Sequence, residues 1–141
     1  MKGKIMVIFD SLQVRKEALQ YAIELAKRTD CSVMSLVLLD SSECVHFSPG
    51  HLEILNRQTI HELTAPVRQA GLVGEAEIRT GNPSSELMKF LADCRSPRAI
   101  VWGGVSGMDG GRRQRDHWLG RVKDRLGCPV VVPAMKTDTQ G

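Results

Sequence analysis

The sequence predicts an α/β protein built on a single doubly wound parallel sheet. Short apolar runs of strand length recur along the chain, and stretches with apolar residues at helical spacing lie between them. The two patterns alternate from end to end, with no internal repeat, low-complexity tract or composition break. Strand–helix alternation of this kind buries a parallel sheet between helices on both faces.

Taken in order, residues 4–9 (KIMVIF) are apolar throughout, as suits a strand covered on both sides. Asp10-Ser11 supplies a helix-capping signal, and the helix expected after it runs to about Arg28 with Val14, Ala18, Tyr21, Ala22, Leu25 and Ala26 inward. Residues 32–39 (SVMSLVLL) form the second strand. The polar stretch SSECVHFSPGH follows as the longest irregular segment. Residues 51–70 carry Leu52, Leu55, Leu63 and Val67 at helical spacing, and Pro66 should kink or split that helix.

Residues 73–79 alternate and are polar enough for an edge strand. Asn82-Pro83 opens a helix with proline in its first turn, with Leu87, Met88 and Leu91 directed inward. AIVW, residues 99–102, is the fourth strand. The last helix spans about 115–126 and stops at Gly127, and Val130–Val132 make the fifth strand. The expected total is five strands and four helices in one domain over 1–141, with 135–141 a frayed polar tail.

Composition restricts function. The chain has 141 residues, 42% hydrophobic and 25% charged, a balance typical of globular proteins. No run reaches the length of a membrane span, and Asp10 and Ser11 interrupt the only apolar stretch near the start, so a cytoplasmic location is expected. The net charge of +3 is mild. Arginines 112, 113, 115, 121 and 125 gather in one region without interleaved aromatics, which gives no support to nucleic-acid binding. The four cysteines (31, 44, 94, 128) form no CxxC pair and read as reduced thiols. Cys44, His46 and His51 could be drawn as a metal trio, but their spacing matches no zinc pattern.

The segment GGVSGMDGGRRQRDHWLG, residues 103–120, carries most of the chemistry. It follows an apolar strand and precedes a helical pattern, an arrangement in which glycine N–H groups and a helix N-terminus can cradle phosphate. A flexible connection would have the same composition. No lysine-bearing P-loop, Gly-x-Ser-x-Gly or His-Glu-x-x-His motif is present, so catalysis has little support. His117 is the one residue that could serve a slow nucleotide hydrolysis, and a surface role suits it as well.

Several segments together resemble the universal stress protein family. EALQYAIELAKRT is similar to that family's first helix, TGNPSSELMKFL to its Gly-x-Pro helix start, and GCPVVVP to its closing Cys-Pro-Val-Val strand. The family's ATP-binding members carry Gly, two residues, Gly, nine residues, then Gly-Ser or Gly-Thr. Gly107, Gly110 and Gly120 meet this spacing, but the terminal hydroxyl residue is Arg121. Gly104-x-x-Gly107 is an alternative start that breaks the spacing by three residues.

The resemblance implies the strand order 3-2-1-4-5 and a Rossmann-like fold. It also implies ATP or a related adenine nucleotide, with or without Mg²⁺, at the switch point between strands one and four. Asp10, Leu38, Gly104, Gly107, Gly110, Gly120 and Arg121 are the implied binding residues. It further implies a homodimer through the last strand, Val130, Val131 and Val132. Asp10 has the alternative role of helix cap, Leu38 that of a core residue. Arg121 either supplies a guanidinium to phosphate or marks a nucleotide site that has decayed.

Overall fold

The structure, a computed structural model, describes residues 3–41, 47–93, 97–103 and 126–132. Five parallel strands form one sheet: β1 (Gly3–Phe9), β2 (Cys31–Asp40), β3 (Gly74–Gly81), β4 (Ala99–Trp102) and β5 (Val130–Val131), in the order β3-β2-β1-β4-β5. Three described helices connect them: α1 (Lys16–Thr29), α2 (Pro49–Gln69) and α3 (Pro83–Asp93). The expected fourth helix, about 115–126, lies outside the described residues up to its last position, Leu126.

Period-two alternation divides the apolar side chains of the central strands between two cores. Ile5, Val7 and Phe9 of β1 join Val33, Val37 and Leu39 of β2 beneath α1 and α2. Met6, Ile8, Leu36, Leu38, Ile100 and Trp102 pack on the other face with Leu87, Phe90 and Leu126. The strands are therefore apolar at nearly every position, as expected of a sheet covered on both sides.

The first helix begins later than its sequence predicts. Asp10 does not cap it; α1 starts at Lys16, and its N-cap Arg15 makes no side-chain capping bond. Ser11 instead accepts a hydrogen bond from the Gln13 N–H at 3.2 Å, a local turn that competes with helix. Ala18, Leu19, Ala22, Ile23 and Ala26 form the buried stripe, whereas the expected inward Tyr21 is 37% exposed. Three alanines in that stripe let the helix lie close to the strands.

Pro66 does not split α2, which continues to Gln69. The proline falls in the last turn, where its carbonyl still accepts from the Ala70 N–H, and Gly71 at φ 83° ends the helix. Leu63 and Val67 are buried as expected, together with Thr59 and Thr64. The contact of α2 with β3 depends on Gly74: a Cβ there would stand 2.8 Å from the Val67 side chain. The start of α3 follows its sequence signal. Asn82 Oδ1 accepts from the Ser85 N–H at 3.0 Å and from the Ser84 hydroxyl at 2.8 Å. Leu87 and Phe90 are buried there, while Met88, expected inward, is 36% exposed.

Candidate functional site

The sheet order places β1 beside β4, in parallel register from Ile5↔Ala99 to Ile8↔Trp102. The connection leaving β1 crosses to β2 on one side, and the chain leaving β4 passes to β5 on the other. Their carboxyl ends are thus the topological switch point of the sheet, the place at which open α/β sheets commonly hold ligands.

One residue sets how closely the two strand ends meet. Gly103 follows β4, is buried, and donates from its N–H to the Ile8 carbonyl at 2.7 Å. A Cβ on it would come within 2.6 Å of Phe9 Cε1, 2.8 Å of Phe9 Cδ1 and 3.2 Å of Ala18 Cβ. No side chain fits, so glycine at the mouth of the loop is a packing requirement. One step beyond the Ile8↔Trp102 pair, Gly103 stands opposite Phe9; Asp10, the first residue after β1, is half-buried.

Leu38 reaches the same level from β2. The pairing Ile8↔Leu36 and Phe9↔Val37 puts it one step beyond the last paired residue of β1, alongside Asp10. Its side chain is 1% exposed and belongs to the core under α3. Its backbone is another matter. Val33 donates to the Val73 carbonyl at 3.0 Å, so in a parallel ladder the odd residues of β2 turn toward β3 and the even ones toward β1. The Leu38 carbonyl therefore points to the β1 side, where the paired part of β1 has ended at Phe9.

Gly104, Gly107, Gly110, Gly120, Arg121 and His117 lie outside the described residues. The two anchors of their segment are clear. It departs from Gly103 at the switch point and returns at Leu126, which is 5% exposed and packs in the core containing Trp102. Gly127 follows at φ 70°, the left-handed conformation in which glycine ends helices. The Pro129 carbonyl then accepts from the Ile100 N–H at 2.9 Å, holding the chain against β4.

The other sequence candidates divide similarly. Cys44 and His46 are outside the described residues, and His51 stacks on Phe47 with ring centroids 5.6 Å apart. Among the described residues no group of three or more metal-ligating side chains comes together. Cys31 is buried in the α1–α2 core; Cys128 is half-buried, and burial raises its thiol pKa. Val130 and Val131 pair with Ile100 and Val101 of β4, while Val132 is 42% exposed beyond the paired stretch. No helix among the described residues is long and apolar enough to cross a membrane.

No protein-family model and no curated protein matches the sequence. Solved structures do match its fold. A universal stress protein family member from Burkholderia pseudomallei superposes with TM-score 0.65 at 18% identity, over 94% of this chain and 96% of that one. The chain has the universal stress protein fold. The Archaeoglobus fulgidus universal stress protein in complex with dAMP matches with TM-score 0.63 at 20% identity, over 94% of this chain and 98% of its own. An Arabidopsis thaliana family protein with AMP bound matches with TM-score 0.62 at 19% identity, over 99% and 95%. The five-stranded order expected from the resemblance is thus the order observed.

Sequence reasoning missed Gly103 as a positioning residue. It stands in the first place of the glycine segment, but its role rests on Phe9 and Ala18, which are remote in sequence. Nothing in the local pattern separates it from Gly104.

Proposed function

We propose that this protein binds an adenine nucleotide, ATP or a close relative, beyond the carboxyl ends of β1 and β4. In this reading it is a regulatory module of the universal stress type acting in the cytoplasm, and not a turnover catalyst. The observation that carries it is the junction of Ile8, Trp102 and Gly103, which brings the start of the glycine segment against the residue preceding Asp10. In the proposed site the Asp10 carboxylate accepts from ribose hydroxyls and the Leu38 backbone borders the base. Gly104, Gly107, Gly110 and Gly120 turn N–H groups to the phosphates, and Arg121 offers its guanidinium to one of them. A triphosphate would bring Mg²⁺ as its counter-ion. Solved proteins of this fold in complex with dAMP, AMP and cAMP support the ligand class.

Mass spectrometry of material released by heating the purified protein, combined with thermal-shift titration of Mg-ATP, tests the proposal. Released adenine nucleotide, or stabilisation that saturates with ligand, is the expected result. Neither one, up to millimolar ATP, would overturn it. A second reading is favoured by one residue: Arg121 stands where the ATP-binding signature has serine or threonine. In that reading the nucleotide site has decayed and the protein acts through dimer contacts. Absence of binding in the native chain with its recovery in Arg121→Ser would decide for it.

We also propose homodimerisation through β5. Its paired stretch is two residues long and apolar, with Val132 exposed beside it; among the described residues only β4 pairs with it, and an apolar edge invites pairing. Pro129 and Pro133 would limit the paired length. Val131→Glu should lower the mass measured by light scattering; an unchanged mass places the interface elsewhere.

A further inference from the structure

The opposite edge of the sheet is β3, eight residues long, and among the described residues only β2 pairs with it. Its backbone orientation follows from the ladder. Because Val33 donates to Val73, the odd residues of β3 turn their N–H and C=O groups toward β2. Ala76 and Ile78 turn theirs outward, and the Gly74 carbonyl, facing the same way, accepts from the Arg68 guanidinium at 3.4 Å. An open cleft of about 600 Å³ runs along this edge, lined by Arg57, Ile60, His61 and Arg68 of α2 and by Gly74–Glu77 of the strand. Ile60 and Val73 are exposed beside it, at 36% and 56%. The edge therefore combines outward backbone groups, apolar flanks and room for another strand.

From this geometry we infer that β3 pairs antiparallel with β3 of a second copy, about a twofold axis through Ile78. The charges of the strand select both partner and register. Glu75, Glu77 and Arg79 project on one face, where Arg79 already binds Glu77 at 2.7 Å and Glu86 at 3.4 Å and lies over the Phe90 ring at 5.2 Å. With the axis at Ile78, each Glu77 stands directly opposite the other copy's Arg79. The two ion pairs then become one ring of alternating sign. These are the non-hydrogen-bonded positions, where side chains of an antiparallel pair approach most closely.

The outward backbone groups of the two Ile78 residues meet each other at the axis, and Ala76 stands opposite Thr80. An axis at Ala76 instead sets Glu75 against Glu77 twice, which opposes pairing. An axis at Glu77 sets Glu75 against Arg79 twice but brings the two Glu77 carboxylates together at the axis itself, whereas the axis at Ile78 has no like pair among these residues. Glu75 and the 42% exposed Glu77 side chain thus leave the edge open to one partner while guarding it against general strand addition.

Sedimentation of the full chain over a range of concentrations tests the inference, with circular dichroism as the check of fold. Glu77→Arg puts arginine opposite Arg79 at two places and should weaken self-association about tenfold. Ala76→Pro removes an outward N–H without touching the β2 ladder, which edge strands tolerate, and should have the same effect. If β5 also pairs, the two edges link copies into an open chain, which either variant cuts to β5-paired dimers and Val131→Glu cuts to β3-paired dimers. A native chain that stays monomeric, or a dimer that Val131→Glu dissolves and Ala76→Pro leaves intact, overturns the inference. So does association of folded Glu77→Arg as tight as that of the native chain.

Discussion

Replacing Gly103 with alanine tests how the switch point is built. Gly103 is not among the glycines with positive φ, so alanine meets no backbone penalty there. Loss of unfolded-state entropy would by itself favour the variant by about 0.4–1 kcal/mol. Packing opposes it. The added methyl would lie 2.6 Å and 2.8 Å from two ring carbons of Phe9, and 3.2 Å from Ala18 Cβ, where ordinary carbon contacts fall near 3.5–4.0 Å. Phe9 and Ala18 are 0% and 3% exposed, on a strand and a helix that cannot retreat singly. Overpacking of this kind costs about 1–3 kcal/mol, which exceeds the entropic gain. Less the entropic gain, the net cost centres on about 1–2 kcal/mol, and for a chain of this size each kcal/mol lowers Tm by roughly 4 °C, so a fall of about 4–8 °C is expected. Urea unfolding gives the free energy directly. Phe9→Leu removes the ring atoms involved, so alanine at 103 should cost at least about 0.5 kcal/mol less in that background. A Gly103→Ala protein within about 0.5 kcal/mol of the parent would refute the steric account. An unchanged cost in the Phe9→Leu background would refute it too.

Other consequences are simpler to read. The Ser35 hydroxyl is fully buried and has no hydrogen-bond partner among the described residues, so Ser35→Ala should stabilise by about 1 kcal/mol in urea unfolding; a loss of stability would mean a partner exists. Asp30 closes α1 in the left-handed conformation, φ 58° and ψ 49°, with its N–H on the Ala26 carbonyl. Asp30→Gly should therefore raise stability by about 0.5–1 kcal/mol, measured by thermal or urea unfolding, and a fall would contradict the strain assigned to it. Burial raises the Cys128 pKa above its ordinary value of 9.0. The folded state then binds this proton more tightly than the unfolded one, so Cys128 contributes stability below the unfolded pKa. That contribution declines as pH rises past about 9 toward the folded pKa. Unfolding free energies measured from neutral to alkaline pH should fall less steeply in Cys128→Ala, and identical slopes would exclude the effect.

The fold was legible because its signals are long and repeated. Apolar runs gave β1, β2 and β4 nearly to the residue, and Asn82-Pro83 marked the start of α3 because its capping needs no tertiary help. The errors have separate physical sources. Asp10-Ser11 resembles a cap, but Ser11 is used in its own turn and the helix begins at Lys16. Helical spacing defines a stripe without its edges, and Tyr21 and Met88, which it assigns inward, each sit at the margin of one. Pro66 does not split α2 because it falls in the final turn, a position that spacing alone does not reveal. The candidate site was legible only as composition. Its decisive contact joins Phe9, Ala18 and Gly103, residues whose proximity depends on the whole β1–α1–β4 arrangement.

The late start of α1 changes where an anion could be held. Had Asp10 capped the helix, the N-terminal N–H groups of α1 would stand at the end of β1, with their dipole directed at the switch point. Residues 10–15 intervene instead, and the first turn of α1 carries Lys16 and Glu17. In the proposed site, phosphate stabilisation must therefore come from the chain that leaves β4, while the β1 side contributes a carboxylate suited to hydroxyl groups. Asp10 would repel a phosphate placed beside it, so the ribose end of a nucleotide belongs near β1 and the phosphates toward residues 104–121. On this geometry Asp10→Asn should weaken adenosine and ATP by similar factors, because the altered contact is to the part they share. Arg121→Ala should weaken ATP and leave adenosine unchanged. Titration calorimetry of both ligands on both variants separates the two ends of the site. Equal weakening of adenosine by Arg121→Ala would reverse the assigned polarity.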